Sequence, residues 1–298
     1  MLATKRPCLN QSSCAYKDTD YEVLFVSDIH ERAYEFRRCN RCGLIYHYPE
    51  SEEAELKERY TNYGKYSDSN YMSEQMKEAK KRNQAKARQL HRYLDIEKPK
   101  LLEVGCSSGV LLIHLMDFGY DCFGVEVDPF SSSVAKEYLG KDRVHTGFLG
   151  DSPFLDESFD LVICRQTIEH VPNPFELLLQ MNRALKVNGV LYLDTPNFGG
   201  PSFRLLKDKW KNVLPGDHVS MFTPEVLEHF IEEAGFNVLK RRSGSFSYNC
   251  RRNAEGGYRV YDNGLMRMVF RIMGFALGTF NFGDGISAVA RKEKEPEG

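Results

Sequence analysis

The 298-residue sequence predicts an α/β protein: a mostly parallel sheet with helices on both faces, preceded by a small separate module. Three observations carry this. From residue 100 onward, short strand-like runs alternate with amphipathic helical ones. The first of those runs, LLEVGCSSG (101–109), ends in an acid and two glycines four residues apart, as a strand turning tightly into a helix does. Four of the eight cysteines fall in the first 42 residues, which sets that stretch apart.

In chain order, YEVLFV (21–26) and LIYHY (44–48) have the β-branched and aromatic content of short strands. SEQMKEAKKRNQAKARQLHRYL (73–94) combines strong helix formers with mixed charge and reads as a solvated helix closed by Pro99. KLLEVG (100–105) is a buried-type strand, GVLLIHLMDFG (109–119) a helix ending in glycine, and DCFGVEV (121–127) a second strand. Pro129 opens a helix over 130–140; RVHTG (143–147) and FDLVIC (159–164) are the third and fourth strands. An amphipathic helix is expected over 173–189 and a fifth strand over 189–196. Thr223-Pro224-Glu225 is an N-cap followed by proline at the first helical position, so a helix runs from there to Gly235. Strands over 236–243 and 285–292 complete the set, and only the tail RKEKEPEG reads as disordered. The organisation expected is a Cys-rich module over 1–50, a helical linker or cap over 51–97, and the main domain over 98–298.

Composition excludes several classes. A net charge of −2 gives no global attraction to nucleic acid or acidic membranes. The N-terminus has no apolar secretory core, and the longest apolar stretch near the C-terminus, IMGFALGTFNFG (272–283), is too short to span a bilayer; a cytoplasmic location is the expectation. Cysteines in that compartment are not expected to pair as disulfides.

The turn after the first strand points to a nucleotide-type ligand. In open α/β sheets ligands lie beyond the carboxyl ends of the strands, and a helix N-terminus offers free N–H groups to an anion. Glu126 ends the second strand 21 residues after Gly105, where a carboxylate accepts both hydroxyls of a ribose. A dinucleotide fingerprint needs a glycine where Ser107 stands, to admit a pyrophosphate. Its absence disfavours a nicotinamide oxidoreductase and favours a ligand without phosphate; S-adenosylmethionine (SAM), with its ribose and carboxylate, fits.

With LLEVGCSSG (101–109), FGVEVDP (123–129), PFLDESFDLVICRQTIEHVPNP (153–174) and LKVNGVLYLDTPN (185–197) in that order, the chain resembles the class I SAM-dependent methyltransferases. DHVSMFTPEVLEHFIEEAGF (217–236) resembles a segment of their ubiquinone-type and glycan-type branches. The resemblance covers about residues 100–243 and implies a Rossmann-like, doubly wound, seven-stranded sheet whose last strand, 285–292, inserts antiparallel. It also implies that Glu103, Gly105, Cys106 and Gly109 line the methionine end of SAM, that Glu126 holds the ribose, that Val127 and Asp128 flank the adenine, and that Gln166 sits beside the sulfonium. Phe148 stands where many members place an aspartate on the adenine amine, so stacking or backbone contacts are expected there.

Methyl transfer from a sulfonium is an in-line displacement that depends on alignment, and a hydroxyl acceptor also calls for a base. His170, after the fourth strand, and His218, after the fifth, are the candidates; a purely structural role for either remains open. NFGGPSFRLLKDKWKNVLPGDH (197–218) is long for a connection and carries the only tryptophan, Trp210. It reads as an acceptor lid, as a membrane-touching flap, or as an amphipathic surface helix. Within the C-terminal segment 244–284, GLMRMVFRIMGFALGTF (264–280) could wall an apolar pocket, pack on the sheet or touch lipid. The expected activity is methylation, at a hydroxyl, of a small-molecule or lipid-linked acceptor: a glycan, quinone or secondary metabolite, with peripheral membrane contact left open. The alternatives are an RNA methyltransferase, against which the lack of a basic stripe weighs, and a non-catalytic module of the same fold.

Cys39-Asn40-Arg41-Cys42-Gly43 is a knuckle that brings two thiolates onto one tetrahedral ion. RRCNRCGLIYHYPE resembles the second half of the zinc-ribbon leaders found before some methyltransferases. A structural Zn²⁺ on Cys8, Cys14, Cys39 and Cys42 is therefore expected, although Cys8 and Cys14 lie further apart than a knuckle requires. A ribbon without metal, or one in which His30 or His47 replaces a cysteine, stays open.

Overall fold

The computed structural model describes residues 20–29, 32–49, 69–154, 157–244, 250–251, 258–259 and 282–293. Cys8, Cys14, His30 and the apolar segment 264–280 lie outside the described residues.

The N-terminal module is an antiparallel sheet of three strands, β1 (Tyr21–Ile29), β2 (Arg32–Cys39) and β3 (Ile45–Tyr48), in that order. The sequence reading missed β2: its RAYEFRRC carries three arginines, but alternation puts Phe36 inward. Arg37 rides over the rings of Tyr21 and Tyr48, at 4.2 and 3.9 Å.

Helix α1 (Ser69–His91) leads into the main sheet. It is not wholly solvated: Ala79, Asn83, Ala87 and Leu90 form a buried stripe at helical spacing, and Asn83 Nδ2 lies 3.0 Å from His114 Nδ1. Small residues in that stripe let the helix lie close while leaving little apolar signal in the sequence.

The main domain alternates as expected: β4 (Lys100–Val104), α2 (Val110–Met116), β5 (Asp121–Glu126), α3 (Pro129–Leu139), β6 (Val144–Thr146), β7 (Phe159–Arg165), α4 (Pro174–Ala184), β8 (Leu185–Pro196), α5 (Pro201–Leu206), α6 (Pro224–Glu233), β9 (Phe236–Gly244) and, after a short ribbon of β10 (Cys250–Arg251) and β11 (Tyr258–Arg259), β12 (Gly285–Lys292). The seven-stranded sheet has the order β6-β5-β4-β7-β8-β12-β9, parallel except for β12, which runs antiparallel between β8 and β9. Alternate residues serve opposite faces. Leu102, Val104, Val162 and Leu191 pack under α4 and α6, whereas Leu101, Leu161, Ile163 and Val190 pack with α1, α2 and α3.

One helix is shorter than its sequence predicts. LKVNG (185–189) reads as a helical tail with its glycine stop, yet α4 ends at Ala184 and β8 begins at Leu185, which pairs with Phe159. The register shifts between Phe159 and Leu161, opposite Asn188 at φ 66°. A Cβ on Gly189 would come within 2.8 Å of the Lys186 carbonyl, so the glycine marks a bulge, not a helix C-cap. Burial of Leu185 overrides the local propensity.

Candidate active site

Three connections at the carboxyl edge of the sheet enclose one cavity of about 240 Å³. After β4, Gly105 takes φ 73°, and its N–H donates to the Val125 carbonyl at 2.9 Å. A Cβ there would overlap Thr167 Oγ1 and lie 2.9 Å from its Cγ2. Gly105→Ala should therefore cost about 2 kcal/mol or more of folding stability, read as a lowered denaturant midpoint.

After β5, Glu126 ties the turns together. Its Oε2 accepts from Ser107 N–H at 2.7 Å, and its Oε1 accepts from Asp128 N–H at 2.8 Å. Asp128 in turn caps α3 through Ser131 N–H. Ser107, at φ 49°, thus spends its amide on the carboxylate that the sequence assigned to a ribose. Burial raises the Glu126 pKa above its ordinary value, against the pull of these backbone N–H groups.

After β7, Gln166 adopts φ 47° and donates from Nε2 to Asp194 Oδ1 at 3.0 Å. Thr167, His170 and Val171 follow it along the wall. Of the residues expected at a cofactor, Gly105, Glu126, Val127, Asp128, Phe148 and Gln166 line the cavity together with the candidate base His170. Phe148 stands half-exposed beside Gly147 and Leu149.

Glu103, Cys106 and Gly109 do not line it. Cys106 turns the other way: its side chain lies over Gly124, where a Cβ would be 2.6 Å from the sulfur, and burial pushes its thiol pKa well up. Gly109 serves helix packing, since a Cβ there would meet Leu139 at 3.1 Å and Ala135 at 3.3 Å. Glu103 is buried, and its Oε2 accepts no hydrogen bond among the described residues. Burial raises its pKa to about 8, opposed by Arg165 and aided by Asp194 and Glu126.

A charged group missed in the sequence joins α1 to the sheet, and its Arg165 and Asp194 act on Glu103. Lys86 of α1 donates to Tyr192 Oη at 2.6 Å; Tyr192 Oη and Arg165 Nε donate to Asp194 Oδ2 at 3.0 and 3.1 Å. Burial lowers the Lys86 pKa to about 8 although Asp194 opposes it. Strand alternation in RQT and YLD held the only hint, because nothing local pairs a helix lysine with residue 192.

At the cavity wall formed after β7, His170 Nδ1 lies 3.0 Å from the Asp217 carbonyl and 3.1 Å from Asp217 Oδ1. Both are acceptors, so Nδ1 carries the proton in the neutral ring. Burial opposes charge on His170, but the bond to Asp217 and the charges of Glu169 and Asp217 outweigh it and raise its pKa above 6.5. His218 meets His170 edge-on, with ring centroids 4.8 Å apart, and donates from Nδ1 to the Asn212 carbonyl at 2.7 Å. Burial and the neighbouring His170 push its pKa down to about 4. Ligand atoms of Glu169, His170 and His218 lie within 4.8 Å of one another, close enough to share a cation; Glu169 Oε2 already accepts from Thr195 Oγ1 at 2.9 Å.

A family model described as a methyltransferase domain matches residues 76–241, more than half of the chain. The chain belongs to this methyltransferase family. Among curated relatives, it is 31% identical over 154 residues to the mitochondrial ubiquinone biosynthesis O-methyltransferase of Schizosaccharomyces pombe, covering 48% of this chain and 54% of that one. With the ubiquinone biosynthesis O-methyltransferase of Glaesserella parasuis serovar 5 it shares 22% over 161 residues, 51% of this chain and 66% of the relative. The chain thus spans roughly half to two thirds of these relatives. The solved complex between the Haloferax volcanii Trm112 methyltransferase activator and a methyltransferase has the same fold, with a TM-score of 0.51 at 18% identity, covering 74% of this chain and 94% of that one.

The long connection after β8 is not a membrane flap through its tryptophan. Trp210 is fully buried among Phe198, Phe203, Val213 and residues of the N-terminal module. Among the described residues no helix is long and apolar enough to cross a membrane.

Proposed function

We propose that this methyltransferase moves a methyl group from SAM to a hydroxyl of a small aromatic acceptor. The observation that carries the reading is that His170, oriented by Asp217, lines the same cavity as Glu126 and Gln166. The names of the curated relatives favour a hydroxyl acceptor.

The residues fit SAM. Glu126 retains lone pairs for the two ribose hydroxyls, Phe148 and Val127 would flank the adenine, and Glu103, behind the cavity wall next to the lining residues Val104 and Gly105, keeps an oxygen without a hydrogen bond among the described residues that would suit the ammonium of the head group. SAM supplies an electrophilic methyl on a sulfonium. The chain would align the acceptor and take its proton: as the hydroxyl oxygen displaces S-adenosylhomocysteine from the methyl carbon, His170 would accept the hydroxyl proton and Asp217 would stabilise the imidazolium. Val104, Val125, Val171 and Leu177 give the cavity an apolar wall. Protein incubated with tritium-labelled SAM and the catechol protocatechuate should give labelled O-methyl product, in the presence of chelator as in its absence. Binding of SAM without transfer to any phenol would overturn the acceptor class, and a requirement for divalent cation would replace the base by a metal on Glu169, His170 and His218.

We also propose that the N-terminal module holds structural zinc through Cys8, Cys14, Cys39 and Cys42. In support, Cys39 and Cys42 are buried in the β2–β3 turn, where Gly43, at φ 78°, donates to the Cys39 carbonyl at 2.9 Å. Elemental analysis should find about one zinc per chain; none in protein purified without chelator would reject the site. His47 is not a ligand as placed, since both its ring nitrogens are engaged within the protein.

A further inference from the structure

The loop carrying Asp217 and His218 is the middle layer of three. On its inner side, Val219 and Ser220 N–H donate to the Glu169 carbonyl at 2.8 and 3.0 Å, and Ser220 Oγ donates to the Val171 carbonyl at 2.7 Å. These bonds press the loop onto the segment that bears His170. On its outer side stands β3 of the N-terminal module. Ile45 and Met221 exchange both backbone hydrogen bonds, at 3.1 and 2.9 Å, and Gly216 N–H donates to His47 Nε2 at 3.1 Å. His47 Nδ1 donates to the Pro49 carbonyl at 2.9 Å, which leaves Nε2 as the acceptor. Around these bonds Phe36 and Ile45 of the module share one apolar cluster with Phe198, Phe203, Trp210, Val213 and Met221.

The module therefore grips the loop at both ends, at Gly216 and at Met221, and the two residues next to the first grip are Asp217 and His218. Gly216 takes φ 81°, a conformation that favours glycine, so it reaches His47 without the strain another residue would bring. A released Gly216 amide would be a buried donor without a partner, and the loop would move to satisfy it.

We infer that the N-terminal module completes the acid–base centre, with His47 as a positioning residue that, through Gly216, holds Asp217 against His170. The inference rests on the methyl-transfer reading for its catalytic consequence but not for its geometry. His47 does not line the cavity.

The test uses the full chain and two substitutions. His47→Phe keeps an aromatic ring but offers no acceptor; His47→Gln places an amide oxygen near the position of Nε2. In His47→Phe, amide exchange across Gly216–Ser220 should quicken by about tenfold, the amount one neutral hydrogen bond sustains. Turnover of protocatechuate should fall by about tenfold or more, while the SAM dissociation constant stays within about twofold. His47→Gln should restore most of both. Unchanged loop exchange in His47→Phe would overturn the inference, as would equal losses of SAM affinity and loop protection in both variants. If His47→Phe does not fold, the wild type decides: Gly216 must exchange as slowly as Met221, and fast exchange of Gly216 refutes the grip. These exchange readouts need no acceptor, so a wild type that binds SAM yet methylates no phenol would refute the acceptor class and leave the grip standing or falling on its own.

Discussion

Glu126→Ala should lower SAM affinity by about 100-fold or more in calorimetric titration. The carboxylate makes two charge-assisted hydrogen bonds within the protein, to Ser107 N–H and Asp128 N–H, and is proposed to accept the ribose hydroxyls as well. Each such bond contributes about 1.5–3 kcal/mol, and its loss leaves buried N–H groups unpartnered at both turns of the cavity. Glu126→Gln, which keeps one acceptor oxygen, should lose less. The same titration probes Glu103. With a pKa near 8 in the free protein, Glu103 is mostly protonated at neutral pH. An ammonium group brought beside it favours the carboxylate, so binding should release up to about one proton below pH 8 and almost none well above it. Enthalpies measured in buffers of different ionisation heat should diverge accordingly, and the divergence should vanish in Glu103→Gln. Unaltered SAM affinity in Glu126→Ala would remove the ribose assignment.

Asp217→Asn should lower methyl transfer to a phenol by about 100-fold, the usual scale of a positioned general base. The base must be unprotonated to act. A His170 pKa raised above 6.5 therefore makes the wild-type rate climb with pH through a value higher than an ordinary imidazole shows, then level off. Removing the Asp217 charge leaves burial opposed chiefly by Glu169, so the inflection should move to lower pH while the plateau falls. His218, with a pKa near 4, is neutral throughout this range and would produce no inflection there. A rate flat between pH 6 and 9 would exclude His170 as the base and favour a role for it in binding alone.

Much of the cofactor half was legible from residues 101–174. Glycine at positive φ, an acid closing the second strand, and proline after an N-cap are local devices with local signatures, and Gly105, Glu126, Asp128 and Gln166 all line one cavity. The failures came where long-range packing outweighs local preference. LKVNG has the composition of a helix end but is drawn into β8 by Leu185. Cys106 follows the cavity-lining Gly105 directly, yet its side chain turns onto Gly124 and away from the cavity. The solvated-looking α1 hides a stripe of small residues and delivers Lys86 to a tyrosine 106 positions away.

The alternation of elements, the tight turn at Gly105 and the acid that closes the second strand were determined by the sequence alone, because each depends on residues within a few positions of one another; the antiparallel last strand came only with the family resemblance, since it pairs with β8 and β9 far away in the chain. Only the tertiary structure decided the rest: that Asp217 lies against His170, that Lys86 meets Tyr192 while Arg165 and Asp194 act on Glu103, and that β3 backs the loop holding His218. Those pairings join segments separated by tens to well over a hundred residues. They exist because parallel strands collect their connections at one edge of the sheet, and no local pattern of polarity or propensity encodes which connections meet there.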